Sequence, residues 1–221
     1  MALPGVYPLF LYLLRHGETA WNAENRIQGV SDQPLNEVGL AQARALIPPL
    51  AGRPIAAIYS SPLIRARETA GILAEGLGGL PLHEETGLAE LNQGDLEGMR
   101  IADVNEKYNG FWDLWRERPA EALTPGGESL PDLQKRAWAA VESIHSRHPG
   151  EMVVAVSHNL AITTLLCRIL RIDLNDMRAI RQHNAAINLV EYDEVRGWGV
   201  VMMNALSHLG SALASNEKPY H

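Results

Sequence analysis

The chain has a single cysteine, Cys167, so no internal disulfide can form and a disulfide-stapled secreted domain is excluded. Cys167 lies in the apolar stretch Leu160 to Leu170 and reads as a small buried hydrophobe rather than a reactive thiol. No stretch reaches the roughly 20 apolar residues that span a bilayer. The N-terminal apolar run, Val6 to Leu14, lacks the basic flank of a signal peptide. Basic runs are also missing and the net charge is -7, which argues against nucleic acid or an anionic membrane as partner. These absences lead to the expectation of a soluble, cytoplasmic protein. An anionic small substrate would need a local cluster of Arg or His set against that overall sign.

What is present is ordinary for a globular protein. Of 221 residues, 46% are hydrophobic and 20% charged, enough for one sizeable core with little room for a second. The pattern alternates. Leu9 to Leu14 reads as a buried strand, and Asn36 to Leu50 as a helix capped by Asn36 and ended by Pro48-Pro49. Ile55 to Tyr59 is strand-like. Pro62 to about Gly76 reads as a helix, with Ser61 as cap and Pro62 at its first position. A weak strand spans Pro81 to Glu84. Leu130 to Arg147 is the clearest helix, starting at Ser129 with Asp132 and carrying apolar residues at helical spacing. Met152 to Val156 is strongly β-prone, and Leu160 to Arg171 is helical. Strands Ala185 to Tyr192 and Trp198 to Leu206 flank a short turn, so they must be antiparallel to each other.

This rhythm predicts an α/β fold with a mostly parallel sheet and helices on both faces. Ligands of open α/β sheets bind beyond the carboxyl ends of the strands. That rule selects residues. The first strand runs into Arg15-His16-Gly17, and the second into Ser60-Ser61 and Arg65. The third leads to a loop with Glu90, and the Met152 strand ends in Ser157-His158-Asn159. Two arginines, two histidines and one glutamate converge on one sheet edge. Arginine forks suit phosphate or carboxylate oxygens. A neutral imidazole can attack phosphorus, and a second histidine, if protonated, can stabilise charge on the transferring group. Glu90 could protonate a leaving alkoxide and then deprotonate water. Together they describe phosphoryl transfer without a metal, through a phosphohistidine.

Leu14-Arg15-His16-Gly17-Glu18-Thr19 with Asn22 resembles the signature of the histidine phosphatase (phosphoglycerate mutase-like) superfamily. So do Arg26-Ile27-Gln28-Gly29, Ser60-Ser61-Pro62-Leu63 with Arg65, Leu88-Ala89-Glu90, Gly126-Gly127-Glu128-Ser129 and Val156-Ser157-His158. The resemblance implies a three-layer α/β/α sandwich with an antiparallel C-terminal strand, and a metal-independent phosphoric monoester hydrolase that needs no cofactor. It implies His16 as the phosphorylated nucleophile, Arg15, Arg65 and His158 as its phosphate pocket, and Glu90 as acid and base. Asn22, Gln28, Thr19, Gly17 and Asn159 are implied as further phosphate or substrate contacts. Asn159 stands where many members have glycine. Its tolerance of left-handed backbone would preserve a sharp turn there.

The expected organisation is one domain over residues 1–221, with 99–125 as a cap over the site and 211–221 as a mobile tail. In the cap, Phe111, Trp112 and Trp115 read mainly as packing and Arg116 and Arg118 as solvated charge; the alternative is that Arg116 or a neighbour reads a substrate carboxylate. The short 99–125 segment lacks the basic, proline-rich insert of mutases that use a bisphosphoglycerate. The expected substrate is therefore a small phosphorylated metabolite turned over by hydrolysis, with phosphoserine first. A bisphosphoglycerate-dependent phosphoglycerate mutase, an α-ribazole phosphatase and a non-catalytic phosphate-binding module are the alternatives. His208 could reach the site or lie at the surface. His145 and His148, without carboxylate or thiolate company, do not read as a metal site. The C-terminal antiparallel edge could pair subunits, as in related dimers.

Overall fold

A computed structural model describes residues 8–213. Six strands form one sheet in the order β3-β2-β4-β1-β5-β6. They are β1 (Leu9–Arg15), β2 (Ile55–Ser60), β3 (Leu82–Glu84), β4 (Met152–Ser157), β5 (Ile187–Asp193) and β6 (Gly197–Ala205). β1 runs parallel to β4, and β2 parallel to both β3 and β4. β5 is antiparallel to β1 and to β6, as the short turn between the last two strands requires.

β1 reads as a continuous apolar run because both its faces are covered. Leu9, Leu11 and Leu13 enter one core cluster, against α7 (Leu130–Arg147) and α8 (Asn159–Leu170). Tyr12 and Leu14 enter the other, with residues of α4 (Ile64–Gly76) and Leu46. Each fully buried leucine contributes about 1.5–3 kcal/mol through lost apolar exposure. α7 buries Leu130, Leu133, Ala137, Val141 and Ile144 along one stripe, and the Ser129 side chain accepts the Asp132 N–H to start it. Cys167 is buried in α8, where burial lifts its thiol to about 11.

Two expectations need correction, and a third, the tail, is described only in part. The helix expected over Asn36 to Leu50 breaks into α2 (Glu37–Ala45) and α3 (Ile47–Leu50). Pro48 and Pro49 lie inside the first turn of α3, where a missing N–H costs no helical bond. α4 begins at Ile64, two residues late, with Leu63 as a cap residue that makes no side-chain bond. Ser61 is occupied elsewhere, in the site described below. Finally, Ser211 to Leu213 belong to a short helix begun by Gly210, and the Leu213 carbonyl accepts from Gln42. The rest of the expected tail, 214–221, lies outside the described residues. No described helix is long and apolar enough to cross a membrane.

The 99–125 segment forms α5 (Ile101–Lys107) and α6 (Phe111–Glu117). Val104 packs with Ile27 and Leu96, and Trp115 reaches the main core, which ties this segment to the sheet.

Candidate active site

The carboxyl ends of β1 and β4 open onto a cavity of about 250 Å³ lined by Arg15, His16, Asn22, Gln28, Glu90 and Asn159, among others. The backbone seats His16 first. Its N–H donates to the Ser157 carbonyl at 3.0 Å, and its carbonyl accepts from Ala185 at 3.1 Å. The ring is then oriented. Nδ1 lies 2.6 Å from the Gly17 carbonyl, a pure acceptor, so Nδ1 carries a proton. Nε2 faces the Nε–H of Arg65 at 3.3 Å, so Nε2 carries the lone pair. Burial, then the Arg65 and Arg15 cations, hold the His16 pKa well below its ordinary value. The imidazole is neutral, with one tautomer fixed and its lone-pair nitrogen among cations.

Arg65 rises from the first turn of α4 and is wholly buried. It donates to the carbonyls of Ser31 and Gly29 at 3.0 and 2.7 Å. Burial lowers it to about 10, which leaves it a cation at neutral pH. Arg15 donates to the Gln182 carbonyl at 2.7 Å. His158 stands with its ring 5.0 Å from that of His16. Its Nε2 meets Ser61 Oγ at 2.7 Å, which explains why Ser61 does not cap α4. Its Nδ1 is buried and has no partner among the described residues. Burial, followed by the Arg65 charge, holds the His158 pKa well below its ordinary value, which disfavours the protonated form and leaves a neutral hydrogen-bonding group.

Glu90 sits at the N-terminus of α8. Its Oε1 accepts from Leu91 and Ala161 at 2.9 and 3.2 Å, and its Oε2 from Leu160 at 3.1 Å. These bonds and the nearby arginines favour the carboxylate, but burial outweighs them and the pKa is raised.

Several expected contacts sit elsewhere. Arg65 and His158 lie against His16 without lining the cavity, and neither Thr19 nor Gly17 lines it. Thr19 caps the turn Ala20–Ala23, takes the Asn22 N–H and donates to Gln28 at 2.7 Å, so it supports two lining residues from behind. Gly17 is required by its approach to Gly39, since a Cβ there would stand 2.4 Å from the Gly39 carbonyl oxygen. Asn159 lines the cavity from the first position of α8 and needs no left-handed backbone. His208 also stays outside the cavity. It lies 3.1 Å from the Ala185 carbonyl, one residue removed from the His16 seat. His145 packs on Tyr192 and Trp198, while His148 bonds Tyr59 and Glu151, so the two are not joined in one ligand set.

The segment Met177 to His183 was not foreseen. It contributes Arg178, Ile180, Arg181 and Gln182 to the lining. A signal for it existed: a strand antiparallel to β1 begins at the edge where β1 ends, so the residues preceding β5 had to pass the site. The cap's aromatics both pack and line, as Phe111, Trp112 and Trp115 face the cavity together with Arg116.

Residues 11–206 match the family described as histidine phosphatase superfamily (branch 1). Phosphoserine phosphatase 1 of Hydrogenobacter thermophilus is 34% identical over 200 residues, 90% of this chain and 94% of that one. A protein named probable phosphoglycerate mutase GpmB, from Yersinia pestis, is 35% identical over 209 residues, 91% of this chain and 95% of that one. The solved structure of Bacillus stearothermophilus YhfR superposes with a TM-score of 0.86 at 34% identity, covering 90% of this chain and 98% of that one.

Proposed function

The chain belongs to the histidine phosphatase superfamily, branch 1, and on that premise we propose that it hydrolyses a small phosphomonoester through a phosphohistidine, with no bound metal. The observation that carries this reading is the fixed tautomer of His16, with its Nδ1 proton on Gly17 and its Nε2 lone pair turned to Arg65.

In the first step Nε2 of His16 attacks phosphorus, the P–N bond forms and the ester P–O bond breaks. Protonated Glu90 gives its proton to the departing alkoxide. The imidazole becomes positive as it accepts phosphorus, and the Nδ1–H bond to the Gly17 carbonyl stabilises that charge. Arg15 and Arg65 offset the phosphoryl charge. Nδ1 of His158, if it carries the ring proton, adds a neutral donor. In the second step the Glu90 carboxylate takes a proton from water, which attacks phosphorus. The P–N bond breaks, and neutral His16 returns with inorganic phosphate released.

The relatives carry both phosphatase and mutase names. The short cap supports water as acceptor. We place the reaction in the cytoplasm on a small metabolite, and phosphoserine is the first compound to test. The experiment is phosphate release in EDTA from phosphoserine, 3-phosphoglycerate and p-nitrophenyl phosphate, for wild type beside His16→Ala. Turnover by wild type and less than about one hundredth of it in the variant is the expected result. Activity abolished by EDTA, or retained by His16→Ala, overturns the mechanism. Turnover only of 3-phosphoglycerate, only with a bisphosphoglycerate primer and without phosphate release, identifies a mutase.

A further inference from the structure

The charges on the cavity wall bear on what the phosphoryl group is attached to. Four arginines line the cavity (Arg15, Arg116, Arg178 and Arg181) against one carboxylate, Glu90. Both Glu90 oxygens already accept backbone amides. Arg15 and Glu90 belong to the transfer site. The remaining three arginines come from the cap and from the segment before β5.

These three are not equivalent. Arg116 is paired with Asp113 at 2.9 Å. Arg178 is a pin: it donates to the carbonyl of Arg116 and, at 3.0 Å, to that of Trp115, fastening α6 to the segment before β5. Arg181 is exposed and makes no hydrogen bond or ion pair with any described residue. Much of the rest of the wall is apolar, from Ile27, Leu96, Phe111, Trp112, Met177 and Ile180. An ammonium entering this space meets unneutralised cations and no uncommitted carboxylate, while a carboxylate meets Arg181.

We infer that the cavity takes the phosphate ester of an apolar, aromatic-sized acid without an amino group, its carboxylate at Arg181 beside Arg178 and its body against Phe111 and Trp112. This rests on the hydrolase reading and narrows it. It disfavours phosphoserine, whose ammonium lies next to its carboxylate.

The test uses three aryl phosphates that differ only in the charge held on a para methylene, which insulates the leaving group: 4-(carboxymethyl)phenyl, 4-ethylphenyl and 4-(aminomethyl)phenyl phosphate. We expect kcat/KM to fall in that order, with at least about fivefold between the ends, and the spread to shrink as salt rises. In Arg181→Glu, whose side chain holds nothing in place, the order should close or reverse. Melting temperature checks that this variant is folded. If the aminomethyl ester is turned over as well as the carboxymethyl ester, or phosphoserine outruns both, the inference is overturned and the hydrolase reading stands. An order unchanged in Arg181→Glu also overturns it. If folded wild type turns over none of the esters, p-nitrophenyl phosphate included, the hydrolase reading fails and the inference fails with it.

Discussion

Substituting Glu90 by Gln separates its two proposed duties. The amide keeps the shape but replaces one acceptor oxygen by an NH2 donor. Oε1 accepts two backbone amides and Oε2 one, so the new NH2 settles opposite the Leu160 N–H, which now faces a donor. One unsatisfied buried amide costs about 1–3 kcal/mol, which is survivable for a core of this size. The kinetic effect is larger and depends on the leaving group. General acid catalysis is worth about 10²- to 10⁴-fold, and an alkoxide needs all of it. A p-nitrophenolate leaves unaided, so its first step should slow by less than about tenfold. The second step needs the base whichever ester was used. Stopped-flow assay of Glu90→Gln with p-nitrophenyl phosphate should therefore show a burst of one p-nitrophenol per site, followed by turnover slowed by about 10²-fold or more. With an alkyl phosphate, phosphoenzyme trapped by alkaline quench should accumulate only slowly. Burial raises the Glu90 pKa, so its proton is retained above the usual glutamate range, and the alkaline fall of the wild-type first step belongs to this group. That fall should vanish in the variant. Equal slowing of both first steps, or an alkaline limb that persists, would refute the assignment.

Two further outcomes concern stability. Gly17→Ala places a Cβ 2.4 Å from the Gly39 carbonyl oxygen, backbone against backbone, so the strand end must move. We expect a loss of about 1–3 kcal/mol and, because the shift adjoins His16, about 10²-fold in kcat/KM. Gly71→Ala, within α4 and in open space, should be neutral or slightly stabilising in the same melting assay. The second outcome is a pH dependence. His16 and His158 are both held below their ordinary value by burial first. Below about pH 6.5 the unfolded chain takes up protons that the folded one refuses. Stability is thus complete above that pH and is lost as pH falls toward the lowered values, by about 1.4 kcal/mol per imidazole per pH unit. The raised Glu90 acts oppositely, its contribution being full below about pH 4.5 and lost as pH rises through the folded value, which offsets part of the fall. Melting temperature should drop by several degrees from pH 7.5 to 5.5, and His158→Leu should lessen the drop. A flat profile would contradict the buried neutral pair.

The fold was legible wherever periodicity and burial agree, as in the stripe of α7 and the two-faced run of β1. The catalytic convergence followed from one rule, that ligands gather at carboxyl strand ends. Arg15, His16 and His158 came out together because each lies at or just beyond such an end, and Glu90 because the loop leaving β3 carries it there. What stayed hidden had no local signal. Ser61 looks like a helix cap by type and place, but its Oγ takes the Leu63 N–H and meets the tertiary partner His158 instead. Gly17 is implied as a phosphate or substrate contact, yet the neighbour that requires it, Gly39, lies in α2, which sequence places no closer to β1 than any other helix. Arg178 and Arg181 are unremarkable in a polar loop, and only the antiparallel direction of β5 brings them to the site.

The position of β1 also bears on synthesis. The first described strand lies near the sheet's middle, and its neighbours come late in the sequence: Phe10 pairs with Met152 on one side and with Glu191 on the other. Until the segment around Met152 has been synthesised Leu9 to Leu14 has neither partner, which leaves an apolar strand with two open edges to be shielded. Pairing across such a span slows folding, because the loop entropy is lost before the contacts form. The same order bears on the site. The backbone seat of His16 includes Ala185, so an incomplete chain carries the proposed nucleophile without the backbone bond that seats it.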